Sequence, residues 1–285
     1  MKSPVLSILF LLISVTLLAV PNDFRFRHFS VEDGLSSNSV RAIMQDKYGF
    51  LWIGTEEGLN RYDGIMIKSY SICPQAAGKY ISSLYGTKKN IWIGTDEGIY
   101  IYAYATETFT YFDLTTPNNV RITSIVNHIL QDKDGNLWFS TNGQGLFRYN
   151  LSKNYLEQYE FTSAFGIVAS TMADSDNQIW ALTNQGESGV YKLNKAENKF
   201  EPFGLLYNAG NHHSQALAML EDSEQTLWLG TWECGLQKID KYTRQTTTYL
   251  HPTDGKGVTH IHSLMEYAPH QLLIGSDDGL LLFNT

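Results

Sequence analysis

Six short polar clusters recur along the chain, and their side chains are of the kinds that hold sugar hydroxyls. They are Glu56-Glu57, Asp96-Glu97, Asn142-Gly143-Gln144, Asn184-Gln185, Trp232-Glu233 and Asp277-Asp278. Carboxylates and amides accept or donate hydrogen bonds in fixed directions, while an indole face stacks on a pyranose ring. His260-Ile261-His262 adds two imidazoles on the same side of a strand, because strand side chains alternate. The expected ligand-binding set is therefore Glu56, Glu57, Asp96, Glu97, Asn142, Gln144, Asn184, Trp232, Glu233, Asp277, Asp278, His260 and His262. The competing reading is that turns are polar because they are wet.

Other chemistries find little support. His212-His213 stands at the matching entry of the preceding repeat, yet no Cys lies near these histidines and no carboxylate spacing completes a metal site. No metal and no cofactor is expected. No nucleophile elbow, His-Glu metal helix or phosphate loop occurs. Glu56 and Glu57 are adjacent, so on a strand they would point apart rather than act as an acid–base pair. No catalytic residue is assigned.

Each cluster follows one recurring phrase. Its copies are Leu51-Trp52-Ile53-Gly54-Thr55, Ile91-Trp92-Ile93-Gly94-Thr95, Leu137-Trp138-Phe139-Ser140-Thr141, Ile179-Trp180-Ala181-Leu182-Thr183, Leu227-Trp228-Leu229-Gly230-Thr231 and Leu272-Leu273-Ile274-Gly275-Ser276. The Trp site, with Leu273 in the last copy, recurs at intervals of 40, 46, 42, 48 and 45 residues. A period in the forties filled with strand-like sequence predicts an all-β fold, a β-propeller of four-stranded antiparallel blades with six repeats. In the first repeat, 39–46 alternates, 50–55 is nearly continuous in apolar residues, and 59–63 and 66–70 follow after turns. Further fourth strands are expected at 108–112, 156–161, 199–203 and 246–250. The indoles should wedge between neighbouring sheets, each stabilising by about 5 kcal/mol before entropy is charged. The glycine two residues on leaves room for another backbone, and the Thr or Ser after it bonds its turn. The sixth repeat stops after its third strand, while 24–29 resembles an orphan fourth strand. The expectation is that this N-terminal strand pairs beside 280–283 and closes the last blade, removing both open edges.

The bulk properties bound the rest. The chain has 285 residues, 43% hydrophobic, with a formal net charge of −8 and no basic run longer than Lys88-Lys89. That balance argues against nucleic acid, which demands Lys and Arg against phosphate. Lys2 followed by apolar residues 5–18 reads as a signal peptide over 1–20, or an uncleaved anchor, leaving 21–285 as the propeller domain. Export is compatible with two cysteines, Cys73 and Cys234, that blades would hold too far apart to bridge.

The stretches His28-Phe29-Ser30-Val31-Glu32-Asp33-Gly34-Leu35-Ser36, Gln45-Asp46-Lys47-Tyr48-Gly49-Phe50-Leu51-Trp52-Ile53-Gly54-Thr55 and Gly58-Leu59-Asn60-Arg61-Tyr62-Asp63-Gly64 closely resemble the two-component regulator propeller repeat. That repeat is found in the periplasmic sensor region of Bacteroides-type hybrid two-component regulators. The resemblance implies a non-enzymatic, extracytoplasmic sensor of glycan-derived oligosaccharides. It would form part of a longer sensor, inner-membrane-associated and dimeric in full-length relatives, signalling to a kinase that this chain does not contain. Propellers of that family usually have seven repeats, where six are seen here. Two readings from other classes stay open: a propeller lyase or glycosidase using dispersed His and Glu, and an architectural protein-binding propeller.

Overall fold

The computed structural model describes residues 26–73, 79–161, 166–183, 189–204, 206–207, 215–251 and 257–285. The expected signal segment 1–20, together with Asn184, Gln185, His212 and His213, lies outside these residues. The structure is a six-bladed all-β propeller, with one short 3-10 turn, Val31–Asp33, as the only helical element among the described residues. Blade 1 comprises β1 (Val40–Gln45), β2 (Leu51–Thr55), β3 (Gly58–Tyr62) and β4 (Ile67–Tyr70), hydrogen-bonded in sequence order. Blades 2, 3 and 4 repeat this antiparallel meander. Blade 5 gains a short fifth strand, Leu206–Tyr207, parallel to Gln245–Tyr249.

The indoles do what their spacing predicts. Trp52, Trp92, Trp138, Trp180 and Trp228 are all buried, and each anchors a core shared with the blade that follows. Trp52, for example, packs on Ile81, Ile91 and Ile93 of blade 2. Gly54 shows why a glycine follows: a Cβ there would lie 2.5 Å from Cγ2 of Ile81. The hydroxyls of Thr55, Thr95, Thr141, Thr231 and Ser276 donate to a carbonyl across their turn at 2.7–3.1 Å.

The sequence did not reveal how the buried indole nitrogens are satisfied. Six residues before each of four wedges stands a buried Asp. Its Oδ2 accepts the indole N–H, for Asp46 and Trp52 at 2.8 Å, Asp132 and Trp138 at 2.7 Å, Asp174 and Trp180 at 2.9 Å, and Asp222 and Trp228 at 2.8 Å. The same carboxylate's Oδ1 accepts amides of the β1–β2-type turn, such as Tyr48 and Phe50 from Asp46. One ionised side chain thus shapes the turn and satisfies the wedge. Blade 2 has Gly86 at this place, and the Trp92 indole nitrogen has no hydrogen-bond partner.

One expectation is corrected. Among the described residues the sixth sheet has three strands, Ile261–Ala268, Gln271–Ser276 and Gly279–Asn284, and 26–29 form no strand beside it. Instead the Arg27 guanidinium donates to the Tyr62 hydroxyl at 2.7 Å, and Phe29 lies 4.8 Å from the Tyr62 ring. The described part of the leading segment is held on blade 1 by aromatic and cation–π contacts, with Arg27 4.7 Å over Phe29. Phe24 and Arg25 lie outside the described residues.

Candidate functional site

The first strand of every blade carries the same irregularity. Pairing with the second strand skips one residue between Val40 and Ala42, Ile81 and Ser83, Val168 and Ser170, Ala216 and Ala218, and Ile261 and Ser263, and the register also shifts in blade 3 opposite Ser140 and Thr141. These are β-bulges, which leave one residue out of the ladder and re-aim its side chain. The extra residues are Arg41, Ser82, Asn127, Ala169, Leu217 and His262. First strands are also the ones that pack against each other from blade to blade, so they form the inner wall of the ring. Because the second strand runs back to the level of the bulge, the bulge lies beside the turn that carries the polar cluster in blades 1, 2, 3, 5 and 6.

In blades 1 and 6 the bulged residue is paired with that turn. In blade 1 Arg41 is ion-paired with Glu56; this bond holds the Glu56 carboxyl below the usual carboxylate range and raises the Arg41 guanidinium. In blade 6 His262, at the same position as Arg41, meets Asp277 with Nε2···Oδ1 at 2.7 Å. His260 Nδ1 contacts the other oxygen of Asp277, and these two imidazoles hold its carboxyl below the ordinary value. The Trp232 indole lies 3.7 Å from the His260 ring, centroid to centroid, and stays 40% exposed. His260 reaches this place from a left-handed backbone, φ 39°, a conformation a non-glycine residue adopts only when its surroundings hold it there. Asp278 accepts from the Thr259 amide at 3.3 Å and its hydroxyl at 3.2 Å.

Other expected ligand residues are occupied within the protein. Glu97 is paired with Lys79; that bond lowers the Glu97 carboxyl and raises Lys79 in spite of the burial that opposes its charge. Gln144 accepts from the Thr123 and Ser124 amides at 2.8 and 3.0 Å and donates to the Arg121 carbonyl at 2.9 Å, so its amide braces the linker entering blade 3. Glu57, Asp96, Asn142 and Glu233 are exposed on the same turns. The structure thus brings Trp232, His260, His262, Asp277 and Asp278 together, places Glu57, Asp96 and Asn142 round the rim, and assigns Gln144 to the frame.

Sequence reasoning passed over Arg41, Ser82, Asn127 and Lys79. The bulge that turns the first three inward leaves no mark in the hydrophobic alternation. Only the recurrent offset from the repeated phrase could have marked them. The ring is graded in character. Blades 6, 1, 2 and 3 have His262, Arg41, Ser82 and Asn127 at the bulge, the Ser82 hydroxyl and Asn127 amide donating to the Val126 and Val168 carbonyls of the next blade at 2.8 and 2.9 Å, whereas blades 4 and 5 have Ala169 and Leu217, with Trp232 beside the latter. A separate groove of about 550 Å³ lies on the outer rim between blades 4 and 5, lined by Lys192, Lys241, Tyr242 and Arg244 among others, and contains none of the expected ligand residues.

The family model for the two-component regulator propeller matches residues 34–57 and 120–143. These are two-component regulator propeller repeats. The regulator-propeller repeats found in this way are the turn, wedge strand and approach segments of blades 1 and 3. Histidine kinase P4 of Formosa agariphila is 46% identical over 68 residues, which is 24% of this chain and 5% of that protein. The extracellular domain of a putative hybrid two-component system from B. thetaiotaomicron aligns with a TM-score of 0.74 at 24% identity, over 90% of this chain and 35% of that one. A virginiamycin B lyase from Staphylococcus aureus aligns with a TM-score of 0.63 at 15% identity, over 87% of this chain and 84% of that one. At these identities the two structures establish a shared fold, and the chain spans only a small part of the kinase and about a third of the extracellular domain.

Proposed function

We propose that this propeller is the extracytoplasmic, ligand-sensing part of a hybrid two-component regulator, that it detects a glycan-derived oligosaccharide at the mouth ringed by the bulged residues, and that it signals to a kinase outside this chain. The observation that carries the reading is the exposed Trp232 face, braced from behind by His260 and flanked by Asp277 and His262. A flat apolar platform beside fixed donors and acceptors is what a pyranose requires, with its apolar ring face and equatorial hydroxyls. Its setting on regulator-propeller repeats supports a sensing role rather than turnover. Binding transmits a signal only if the ligand prefers one placement of the propeller relative to its neighbours.

The test is a thermal-shift screen against a panel of oligosaccharide fragments. A ligand at 100 times its Kd stabilises by about 2.7 kcal/mol. Trp232→Ala should abolish the shift produced by a hit while leaving the unliganded melt near that of the parent. A hit that Trp232→Ala retains, or one recovered as cleaved product, would overturn the reading.

A further inference from the structure

Two grooves at the outer rim occupy matching places between blades and differ in charge. Between blades 2 and 3 the groove holds about 440 Å³, with Ile101 paired beside Trp92 and with Leu151 and Asn154 on the facing turn. Between blades 4 and 5 it holds about 550 Å³, and the same three places are Lys192, Lys241 and Arg244. Lys241 serves the frame. It is ion-paired with Glu221 and lies 3.7 Å from Asp174, the carboxylate that accepts the Trp180 indole. Lys192 and Arg244 are held differently. Lys192 lies 5.2 Å over the Trp180 ring and Arg244 lies 5.4 Å over the Phe203 ring, and those two rings meet edge to face at 4.8 Å. Both charges therefore stand over adjoining aromatic faces, which fix a cation without neutralising it. No ion pair involves either residue among the described residues. Blade 3 shows the alternative: Arg148, at the place of Lys192, is ion-paired with its cross-strand neighbour Glu157. The cross-strand neighbour of Lys192 is Glu201, which accepts instead from the Asn194 side-chain amide at 3.1 Å.

The arginine stands where the backbone does not favour one. Arg244 has φ 63°, and the same turn position in blades 3 and 4 is Asn154 and Asn198, with φ 49° and 52°. Asparagine enters the left-handed region readily, whereas arginine has no local bond to repay it. The guanidinium reaches across to blade 4, where a Cβ on Gly204 would lie 3.7 Å from its Nη1. The Asp240 carboxylate fixes the turn by accepting the Tyr242 and Thr243 amides, both at 2.8 Å. Tyr242 thereby projects at the wall of the groove, 91% exposed. We propose that this groove binds a small ring-bearing polyanion, its carboxylate or sulfate oxygens received by Lys192 and Arg244 and its ring laid on Tyr242. An anion placed there accepts charge-assisted hydrogen bonds from an ammonium and from a planar guanidinium fork. Lys195 adds a third positive charge at the lip, in a chain whose net charge is −8. A groove of this volume takes a small molecule. The inference does not rest on the reading of the mouth, none of whose residues lines this groove.

The test titrates the parent chain calorimetrically with sucrose octasulfate and with trimesate, a benzene ring bearing carboxylates, against uncharged sucrose and inorganic sulfate. At least one ring polyanion should bind with a Kd below about 1 mM and at least about tenfold more tightly than inorganic sulfate. Its affinity should weaken with added sodium chloride, and sucrose should not bind. Lys192→Gln and Arg244→Asn should each weaken binding by about ten- to a hundredfold. Both variants should keep the melting midpoint within about 2 °C of the parent. Tyr242→Ala should weaken binding by about threefold or more. Trp232→Ala should leave it unchanged, which separates this site from the mouth. The proposal is overturned if neither polyanion binds, or if affinity is indifferent to salt. It is also overturned if inorganic sulfate binds as tightly, which would mark an adventitious ion only, or if folded Arg244→Asn or Tyr242→Ala binds as the parent does. Should Lys192→Gln or Arg244→Asn fail to fold, Lys195→Gln and Tyr242→Ala, at exposed side chains, decide the matter by the same loss.

Discussion

Asp132 holds a turn and a wedge with one carboxylate. Its Oδ1 accepts the Asn136 amide at 2.8 Å, and its Oδ2 accepts the Trp138 indole at 2.7 Å and the Asn136 side chain at 2.9 Å. In Asp132→Asn one oxygen remains for the turn, but an amide N–H₂ then faces the indole N–H, donor against donor. The indole is 1% exposed, so no water reaches it to compensate. A buried donor left unsatisfied costs about 1–3 kcal/mol, and the lost bond was to a charged acceptor, so we expect about 2–3 kcal/mol. At about 2–4 °C per kcal/mol for a domain of this size, the midpoint should fall by about 4–12 °C. Packing and hydrogen bonding are separated by a double-mutant cycle with Trp138→Phe, which keeps an aromatic wedge and removes the N–H. Asp132→Asn should cost at least about 1 kcal/mol less in the Trp138→Phe background than in the parent. Urea melts of the four proteins measure the coupling. Strictly additive effects would refute the claim that this carboxylate stabilises the blade through its indole.

Trp92 is the internal control: its indole nitrogen has no partner, so Trp92→Phe should cost less in a urea melt than Trp138→Phe. Gly230→Ala should destabilise by about 1–3 kcal/mol, because its Cβ would lie 2.5 Å from Cγ2 of Ile261 and 3.0 Å from its carbonyl oxygen. Gly275→Ala should cost clearly less, since only the Ser263 hydroxyl must turn away; equal losses would contradict the claim that the Gly230 penalty comes from the facing Ile261. Burial drives the His128 imidazole down from 6.5 to about 4, and its Nδ1 faces the Thr171 hydroxyl at 3.4 Å. The unfolded chain takes up this proton before the folded one does. The stability His128 confers is therefore whole above about pH 6.5 and is lost as the pH falls towards 4. The loss is at most about 3 kcal/mol, an upper figure because part of the ring remains accessible. His128→Gln should flatten the melting midpoint between those pH values, and an unchanged slope would contradict the assignment.

The scaffold was legible because its signal is repeated. Five indoles at intervals of 40 to 48 residues, each directly after an apolar residue and three residues before a Thr, leave little choice about which strand lies between the sheets. The strand limits shift by only a residue or so, with 39–46 observed as Val40–Gln45 and 246–250 as Gln245–Tyr249. The closing strand failed for a physical reason. Residues 24–29 have strand-like alternation, but alternation gives no address. Arg27 and Phe29 find an aromatic partner in Tyr62, which lies near in sequence and space. The placement of the candidate residues was partly legible. Asp277, Asp278, His260, His262 and Trp232 were named from type and position, and the structure puts Asp277, His260, His262 and Trp232 in one chain of contacts, with Asp278 bonded to Thr259 beside them. Gln144 was read as a ligand residue because an amide in a turn looks available, whereas three backbone groups of one linker consume it.

The bulges explain how such a scaffold can carry a variable site at no cost to its core. The wedge and its glycine face the neighbouring blade and the Asp bonds the wedge and its own turn, so each is constrained by close contacts. The bulged residue and the first turn residue lie side by side, and in five blades the combination differs: Arg41 with Glu56, Ser82 with Asp96, Asn127 with Asn142, Leu217 with Trp232, His262 with Asp277; the Ser82 hydroxyl and the Asn127 amide also donate to the Val126 and Val168 carbonyls of the next blade, at 2.8 and 2.9 Å. A residue left out of a ladder has its side chain re-aimed, and at Arg41 and His262 that side chain pairs with a turn residue of its own blade, so substitution there changes chemistry while the sheet stays intact. It follows that exchanging the Arg41–Glu56 pair for the blade 6 pair, by Arg41→His with Glu56→Asp, should leave the melting midpoint within about 2 °C of the parent, since an exposed ion pair contributes about 0–1 kcal/mol. Its effect should appear instead in which ligand shifts the midpoint, and a large loss of stability from this exchange would show that the mouth and the core are not separable.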